Sequence, residues 1–142
     1  MKKILIAIDD SSSALNAAIF GIEFAINYDL EVGIVEVTNL SIGNIDAGII
    51  PQDIEKANQF KAKINIEQVK SLFPKVNIKE FEPIGKPVEE IKKIIELYNG
   101  DMLIIGHQTH NLWHKLFANN VESELASHVK IPLLIIPGKE RK

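Results

Sequence analysis

Short runs rich in apolar residues alternate along this chain with longer segments that have helical periodicity. Compact apolar runs of four to six residues are typical of strands that are buried on both faces of a parallel sheet. The runs are Ile4–Ile8, Val32–Val37, Val76–Phe81, Met102–Ile105 and Leu133–Ile136. Because a helical segment follows each of the first four runs, the pattern predicts βαβαβαβαβ. Such alternation is typical of an α/β fold with right-handed crossovers, here a doubly wound, three-layer, five-stranded parallel sheet.

Helix signals support the same alternation. Ser11–Ser13 can cap a first helix that continues at helical spacing to Ala25, since serine is a favoured N-cap residue. Pro51 can begin the second helix, because proline is tolerated at the first helical position. The third helix is predicted over Val88–Tyr98 and the fourth over Val121–His128. The buried side of the second helix is expected to carry Ile54, Ala57, Ile64 and Leu72.

Two loops are long enough to carry function. Residues 38–50 contain Gly43 and Gly48 among small polar residues, and structureless loops of this length are often functional. The second loop follows the fourth strand at Gly106 and reaches a helix that opens near Asn119–Asn120. In open α/β sheets, phosphates bind at such strand-to-helix junctions, where helix N-termini offer unpaired backbone N–H groups.

Composition limits the class of protein. The chain has 142 residues, of which 46% are hydrophobic and 25% charged, with a net charge of −3. This size favours one domain over residues 1–142, and the absence of a clustered basic surface argues against a nucleic-acid partner. Its sequence has no cysteine, which excludes disulfides and thiolate chemistry. The apolar run Ile4–Ile8 is too short for a signal peptide, and no run could span a bilayer, so we expect a cytoplasmic protein without a membrane partner.

Several motifs, in the right order and spacing, resemble the universal stress protein family. They are the opening ILIAIDDSSSALNAA, then Val35-Glu36-Val37, Gly85-Lys86-Pro87, Asp101–Gly106 and Ala126–Ile136. The resemblance implies an adenine nucleotide alpha hydrolase-like sheet of order 3-2-1-4-5. Ligands would then sit where the strand order reverses, between the ends of strands one and four. Those ends are at Asp9 and Gly106.

The family's ATP-binding members carry a phosphate loop of Gly, two residues, Gly, nine residues, Gly, then Ser or Thr. In this chain the four places hold Gly106, Thr109, Asn119 and Asn120. Glycine allows phosphate to approach bare backbone, often at positive φ, and a β-branched threonine there would be strained. Asn119 is a milder change because asparagine tolerates the left-handed region, and Asn120 keeps a hydrogen-bond donor. Asp10, in place of the usual glycine, adds a negative charge near the phosphates, so the pattern is degraded.

The resemblance thus implies a candidate nucleotide site for ATP or AMP, although no cofactor is certain. Its residues are Asp9, Val37, Gly85, Gly106, Thr109, Asn119 and Asn120. Two of these residues could instead have a purely structural role. Asp9 can contact an adenine or can accept hydrogen bonds from nearby backbone N–H groups. Gly85 can admit a ligand or can serve as a turn residue.

The loop after Gly106 is rich in histidine. On a helical turn, His110 and His114 would share one face at a spacing able to hold a metal, but no Asp or Glu lies between Gly106 and Asn120. We therefore do not predict a metal site, and treat these residues with His107 as surface polar residues. Trp113 is expected to pack with its apolar neighbours Leu112, Leu116 and Phe117.

Three functions compete. We favour a stress-linked regulatory or binding homodimer with an unidentified regulatory protein partner and weak or no ATP binding. In the alternative, ATP or AMP is bound with slow or no hydrolysis; no catalytic constellation indicates an enzyme. A phosphoacceptor receiver domain is rejected because Phe81-Glu82-Pro83 lacks its acceptor aspartate. The homodimer is expected to pair through strand 133–136, an uncharged apolar edge strand that family members use in this way.

Overall fold

Five parallel strands form one sheet at the centre of the protein. The computed structural model describes residues 1–9, 11–39, 51–107 and 121–138, and for residues 51–55 it describes the backbone only. The strands are β1 (Lys3–Ala7), β2 (Glu31–Val35), β3 (Ile78–Phe81), β4 (Met102–Gly106) and β5 (Leu133–Ile136). Their order is β3-β2-β1-β4-β5, which confirms the predicted topology. A receiver domain has the strand order 2-1-3-4-5, so the observed order agrees with the rejection of that class.

Helices connect the strands on both faces of the sheet. They are α1 (Ser12–Tyr28), α2 (Pro51–Leu72), α3 (Pro87–Tyr98) and α4 (Val121–His128). Ser11 caps α1, since its side chain accepts a hydrogen bond from the Ala14 N–H. Asn99 ends α3 in the left-handed conformation, with φ at 58°, as the Asn99-Gly100 pair indicates. No helix in the described part of the chain is long and apolar enough to cross a membrane.

Alternate residues of each strand enter two separate cores. Ile4 and Ile6 pack with α1 and α2 on one face, whereas Leu5 and Ala7 pack on the other face with α3 and α4. The period of two residues along a strand produces this division. Burying one such Leu or Ile side chain stabilises the fold by about 1.5–3 kcal/mol, which explains why β4, and β1 after Lys3, consist of apolar residues.

Two strands are shorter at one end than the sequence pattern predicts. β2 ends at Val35 rather than Val37, and β3 begins at Ile78 rather than Val76. β1 is shifted by one residue to Lys3–Ala7, and β4 gains Gly106. The chain after β2 nonetheless stays beside the chain after β3, because Thr38 and Ile84 form a further parallel bridge.

The predicted buried side of α2 was wrong. Ala57, Ile64 and Leu72 are exposed, while the side chain of Ile54 falls outside the described part. The buried side is instead formed by Ala62, Ile66 and Val69. Ile64 lies two residues from Ala62 and from Ile66, about 200° around the helix, so it cannot share their face. The apolar residues of α2 occupy more than one side of the helix, and composition alone did not show which side meets the sheet.

Candidate functional site

The carboxyl edge of the sheet brings together those predicted site residues that the structure describes. Asp9 follows β1, Val37 follows β2, Gly85 follows β3, and Gly106 ends β4. The backbone links neighbouring segments here: the Gly85 N–H donates to the Thr38 carbonyl at 2.9 Å. Thr109, Asn119 and Asn120 lie outside the described residues, as do Asp10 and the loop of residues 40–50. The order reverses between β1 and β4, so Asp9 and Gly106 flank the switch point.

Asp9 makes local hydrogen bonds with the start of α1. Its Oδ1 atom accepts from the Ser11 backbone N–H at 2.8 Å and from the Ser11 hydroxyl. The same Ser11 oxygen accepts from the Ala14 N–H at 3.1 Å. A carboxylate placed two residues before a capping serine thus orders the first turn of the helix. These contacts support the local alternative for Asp9.

Gly106 packs directly against α1. A Cβ atom at this position would lie 2.5 Å from the Ser13 carbonyl oxygen and 3.0 Å from the Ala14 nitrogen. The Ser13 hydroxyl also donates to the His107 carbonyl at 3.1 Å. Glycine is therefore required at 106 for the first turn of α1 to reach the end of β4. The packing explains this glycine without any ligand.

The segment after β3 has a turn at Gly85. Its φ is 155°, and the Glu90 carboxylate folds over it, with Oε2 2.8 Å from where a Cβ atom would be. This geometry fits the turn alternative for Gly85. On the neighbouring segment, which follows β2, Val37 is buried in the core that also contains residues of α3.

Thr38, which the sequence did not single out, is also buried at this edge. It is 4% exposed. Its Oγ1 atom has no hydrogen-bond partner in the described part of the protein. Buried hydroxyls are usually paired, so this atom is open to a partner. No sequence signal distinguishes it from an ordinary strand-end threonine.

A contact between a histidine and a carboxylate joins the end of β4 to the first turn of α4. His107 Nδ1 lies 3.0 Å from Glu122 Oε1, and the side chains are 48% and 12% exposed, respectively. This pair was not predicted from the sequence, because Glu122 lies just beyond the loop between Gly106 and Asn120 in which a carboxylate was expected. The useful signal was the pair of acidic residues in the first turn of the next helix, Glu122 and Glu124.

A second polar cluster lies on the α2 side of the same edge. Glu36 is 8% exposed, and its carboxylate oxygens accept from the Asn65 amide at 3.1 Å and 3.0 Å. Buried carboxylates are costly unless hydrogen bonds satisfy them. The Asn65 amide therefore stabilises the Glu36 carboxylate, which directly follows the apolar strand β2 in the sequence.

Charged side chains also connect α2 with β3. Hydrogen bonding to Lys70 lowers the pKa of Glu80, and the same contact raises the pKa of Lys70. Burial, followed by the charge of Glu80, raises the pKa of Glu82. Within the described part of the chain, no group of three His, Asp or Glu residues could hold a metal ion. His110 and His114, the weak metal candidates, lie outside it.

The family is decided by comparison with known proteins. Residues 1–137 match the model of the universal stress protein family. The chain belongs to the universal stress protein family. This confirms the resemblance drawn from the strand-end motifs. No curated protein matches the chain significantly.

Solved structures share the fold along nearly the whole chain. Protein MJ0577 is 26% identical with a TM-score of 0.79, over 99% of this chain and 98% of that one. Universal stress protein UspA from Lactobacillus plantarum is 18% identical with a TM-score of 0.80, over 95% and 97%. A universal stress protein from Arabidopsis thaliana, with AMP bound, is 16% identical with a TM-score of 0.66, over 98% and 93%. At these identities, the last two show the fold alone.

Proposed function

We propose that this universal stress protein is a stress-linked regulatory or binding homodimer that binds adenine nucleotides weakly or not at all. The observation that carries the proposal is the use of Asp9 and Gly106, the two residues at the switch point, for internal structure. Asp9 Oδ1 accepts two hydrogen bonds from Ser11, and Ser13 fills the space beside Gly106. The proposal keeps residues 1–142 as one domain and a cytoplasmic location.

Phosphate-loop chemistry supports the same view. Of the three glycines in the family's ATP-binding pattern, this chain keeps only Gly106. A threonine at 109 would place a Cβ atom where phosphate needs bare backbone. Asp10, next to Asp9 in the sequence, adds a negative charge where the family usually has glycine, which disfavours a triphosphate.

The alternative is a protein that binds ATP or AMP, with slow or no hydrolysis. Two observations favour it. The Arabidopsis thaliana relative, similar in fold, carries AMP. In addition, the buried Thr38 hydroxyl lacks a partner among the residues described. Thr38 directly follows Val37, and its backbone carbonyl accepts a hydrogen bond from the Gly85 N–H. A ligand at the carboxyl edge could supply that partner.

The dimer is proposed to form through β5. All four of its residues, Leu133–Ile136, are apolar and none is fully buried. An uncharged edge strand presents unpaired backbone groups to a second chain. By contrast, the opposite edge strand, β3, carries Lys79 and Glu80, which is typical of an edge that avoids pairing. The regulatory protein partner is left unidentified in this proposal.

Calorimetric titration with ATP and AMP, each with and without magnesium, tests the proposal. We expect dissociation constants on the order of 1 mM or weaker, equivalent to about −4 kcal/mol. Micromolar binding, or nucleotide that remains bound through purification, would establish the alternative instead.

A restored loop shows which residue weakens binding. The double variant Thr109→Gly with Asn120→Ser is expected to bind ATP more tightly than the unmodified protein, because it returns bare backbone and a hydroxyl to the loop. Asp10→Gly in the same background then tests the added charge. If the double variant gains nothing but the triple variant does, Asp10 is the main obstacle.

A further inference from the structure

We propose that a row of aromatic side chains on α1 is a second contact surface between two copies of this chain. The row consists of Phe20, Phe24 and Tyr28 and is called the aromatic stripe below. The inference deepens the proposed function and rests on its homodimer, which pairs through β5. It adds an element outside the sheet to the interface, and the partner that it assigns to the stripe is a second copy of the chain.

The aromatic stripe lies outside the surface with which α1 packs on the sheet. That surface consists mainly of small residues, and its members are Ala14, Ala17, Ala18, Gly21, Ile22 and Ala25. The stripe residues follow one another at intervals of four, so they share one side of the helix. Ring centroids are 6.2 Å apart for Phe20 and Phe24 and 4.7 Å apart for Phe24 and Tyr28. Since Phe20 is 43% and Tyr28 66% exposed, much of this row is accessible to a partner.

The stripe is on the side of α1 that faces β5. Ser13 precedes Phe20 by seven residues, about 700° around the helix, and therefore shares nearly the same side. The Ser13 hydroxyl donates to the His107 carbonyl, just after β4, at 3.1 Å. Beyond β4 lies the edge strand β5, and Phe24 packs against the same core as Leu134 of that strand. The stripe and the edge strand thus belong to one continuous apolar surface.

Phe20 lies level with the middle of β5. A Cβ atom on the next residue, Gly21, would be 3.2 Å from the Ile104 side chain, and Ile104 pairs with Leu134 in the sheet. When two β5 strands pair antiparallel in a symmetric dimer, the two-fold axis is perpendicular to the sheet and passes between the strand centres. Both α1 helices are then on the same face of the sheet, and Phe20 is the stripe residue nearest to the axis.

The strand spacing leaves a gap between the two α1 helices that large side chains can fill. Because α1 lies over β4 and β1, the helices of such a dimer would be three to four strand spacings apart, about 14–19 Å. Helices in direct contact are only about 8–10 Å apart. Small side chains would leave the seam open, whereas two facing rows of aromatic rings can close it over β5.

The charge of this surface favours a second copy as the partner. In a two-fold interface each surface meets itself, so any charge on it would face the same charge. The aromatic stripe and β5 contain no charged residue. The only charged residue of α1 is Glu23, about 100° around the helix from Phe24 in the middle of the stripe. The uncharged stripe therefore suits contact with its own copy.

Analytical ultracentrifugation of Phe20→Ser tests this assignment. We expect the dissociation constant of the dimer to rise at least about tenfold, because the change removes a central aromatic contact from both copies. Phe20→Leu keeps apolar bulk and should recover part of the affinity. Leu15→Ser is the matched control, since Leu15 is 42% exposed but lies about 180° around the helix from Phe24. It should dimerise as the unmodified protein does, and all variants should show the same folded circular dichroism spectrum.

A pyrene label gives a second measurement, which reports proximity instead of affinity. The chain has no cysteine, so Phe20→Cys and Leu15→Cys can each carry a single label. Two pyrene rings form an excimer only when they are in contact. At a concentration where the unmodified chain is dimeric, we expect excimer emission from the label at residue 20 and none from the label at residue 15. An excess of unlabelled protein should abolish the excimer.

The results distinguish this inference from the proposed homodimer. A dimer that Ile135→Lys dissociates but Phe20→Ser leaves unchanged would refute the inference and leave the homodimer standing. Equal weakening by Phe20→Ser and Leu15→Ser would also refute it, because the effect would then not be specific to the stripe. A monomeric mass for the unmodified protein at micromolar concentration would refute both the homodimer and the role of the stripe.

Discussion

The carbonyl oxygen of Ser13 occupies the space where a side chain at residue 106 would begin. A Cβ atom on Gly106 would be only 2.5 Å from that oxygen, far below a van der Waals contact. The first turn of α1 and the end of β4 are therefore in direct backbone contact at the switch point of the sheet. A residue predicted from a phosphate-loop pattern is thus needed to hold two elements together.

Gly106→Ala should lower the free energy of unfolding by about 1–3 kcal/mol, the cost of forcing an extra carbon into a well-packed interior. Urea denaturation would measure this loss, provided that the unfolding free energy of both proteins has the same dependence on urea concentration. Gly138→Ala is the matched control, because no atom lies within 4 Å of the Cβ position there. Equal stability of the two variants would contradict the packing explanation.

Local patterns predicted most of the fold. Strands β1, β2 and β4 could be recognised because they are buried on both faces, and the helix ends because Ser11, Pro51 and Asn99-Gly100 signal them directly. The pattern failed for α2. There Ile64 and Leu72 are exposed and Ile66 and Val69 are buried. Packing against the sheet, and not the spacing of apolar residues, determines which side of this helix is buried.

The candidate site was less predictable, because its contacts join residues that are distant in sequence. Asp9 and Ser11 are neighbours, and their hydrogen bond agrees with one of the two alternatives drawn for Asp9. The pairing of His107 with Glu122, and the packing of Gly106 on Ser13, depend on where β4 lies relative to α1 and α4. No periodicity encodes such distances, so they emerge only from the folded structure.

Ser11→Ala should destabilise the protein by about 1 kcal/mol, because it removes the side-chain acceptor for the Ala14 N–H. It also removes the hydroxyl that donates to Asp9. Ser12→Ala, at an exposed position one residue further on, should have little effect. Thermal unfolding of both variants measures the difference. A loss in Ser12→Ala as large as that in Ser11→Ala would show that Ser11 is not the cap.

Asn65→Ala should cost about 1–3 kcal/mol, since it leaves the Glu36 carboxylate without the amide that contacts both of its oxygens. Asn58→Ala on the same helix is the control, because Asn58 is exposed and its loss should be neutral or slightly stabilising. Chemical denaturation at pH 7 compares them. If the two variants are equally stable, Asn65 does not support the buried charge.

Ile135→Lys should dissociate the proposed homodimer, because a lysine on an edge strand disfavours pairing with a second chain. Ile135 is 38% exposed, and Leu97 on α3, 72% exposed, provides a control for adding a lysine at an apolar surface position. Sedimentation at micromolar concentration should show a monomer for Ile135→Lys and a dimer for Leu97→Lys. A monomeric mass for the unmodified protein would refute the dimer itself.

Tyr98 should remain protonated to unusually high pH. It packs edge-on against Phe81, with ring centroids 5.5 Å apart, and burial, followed by the charge of Glu31, raises its pKa from 10.0 to about 12. A raised pKa in the folded state means that this residue's contribution to stability is complete below pH 10 and is lost as the pH rises through about 12. In a Tyr28→Phe background, which leaves Tyr98 as the single tyrosine, phenolate absorbance at alkaline pH should therefore appear around that value. Adding Tyr98→Phe should abolish the signal and the matching loss of stability. Phenolate formation in the folded protein near pH 10 would show that the ring is not shielded from water in this core.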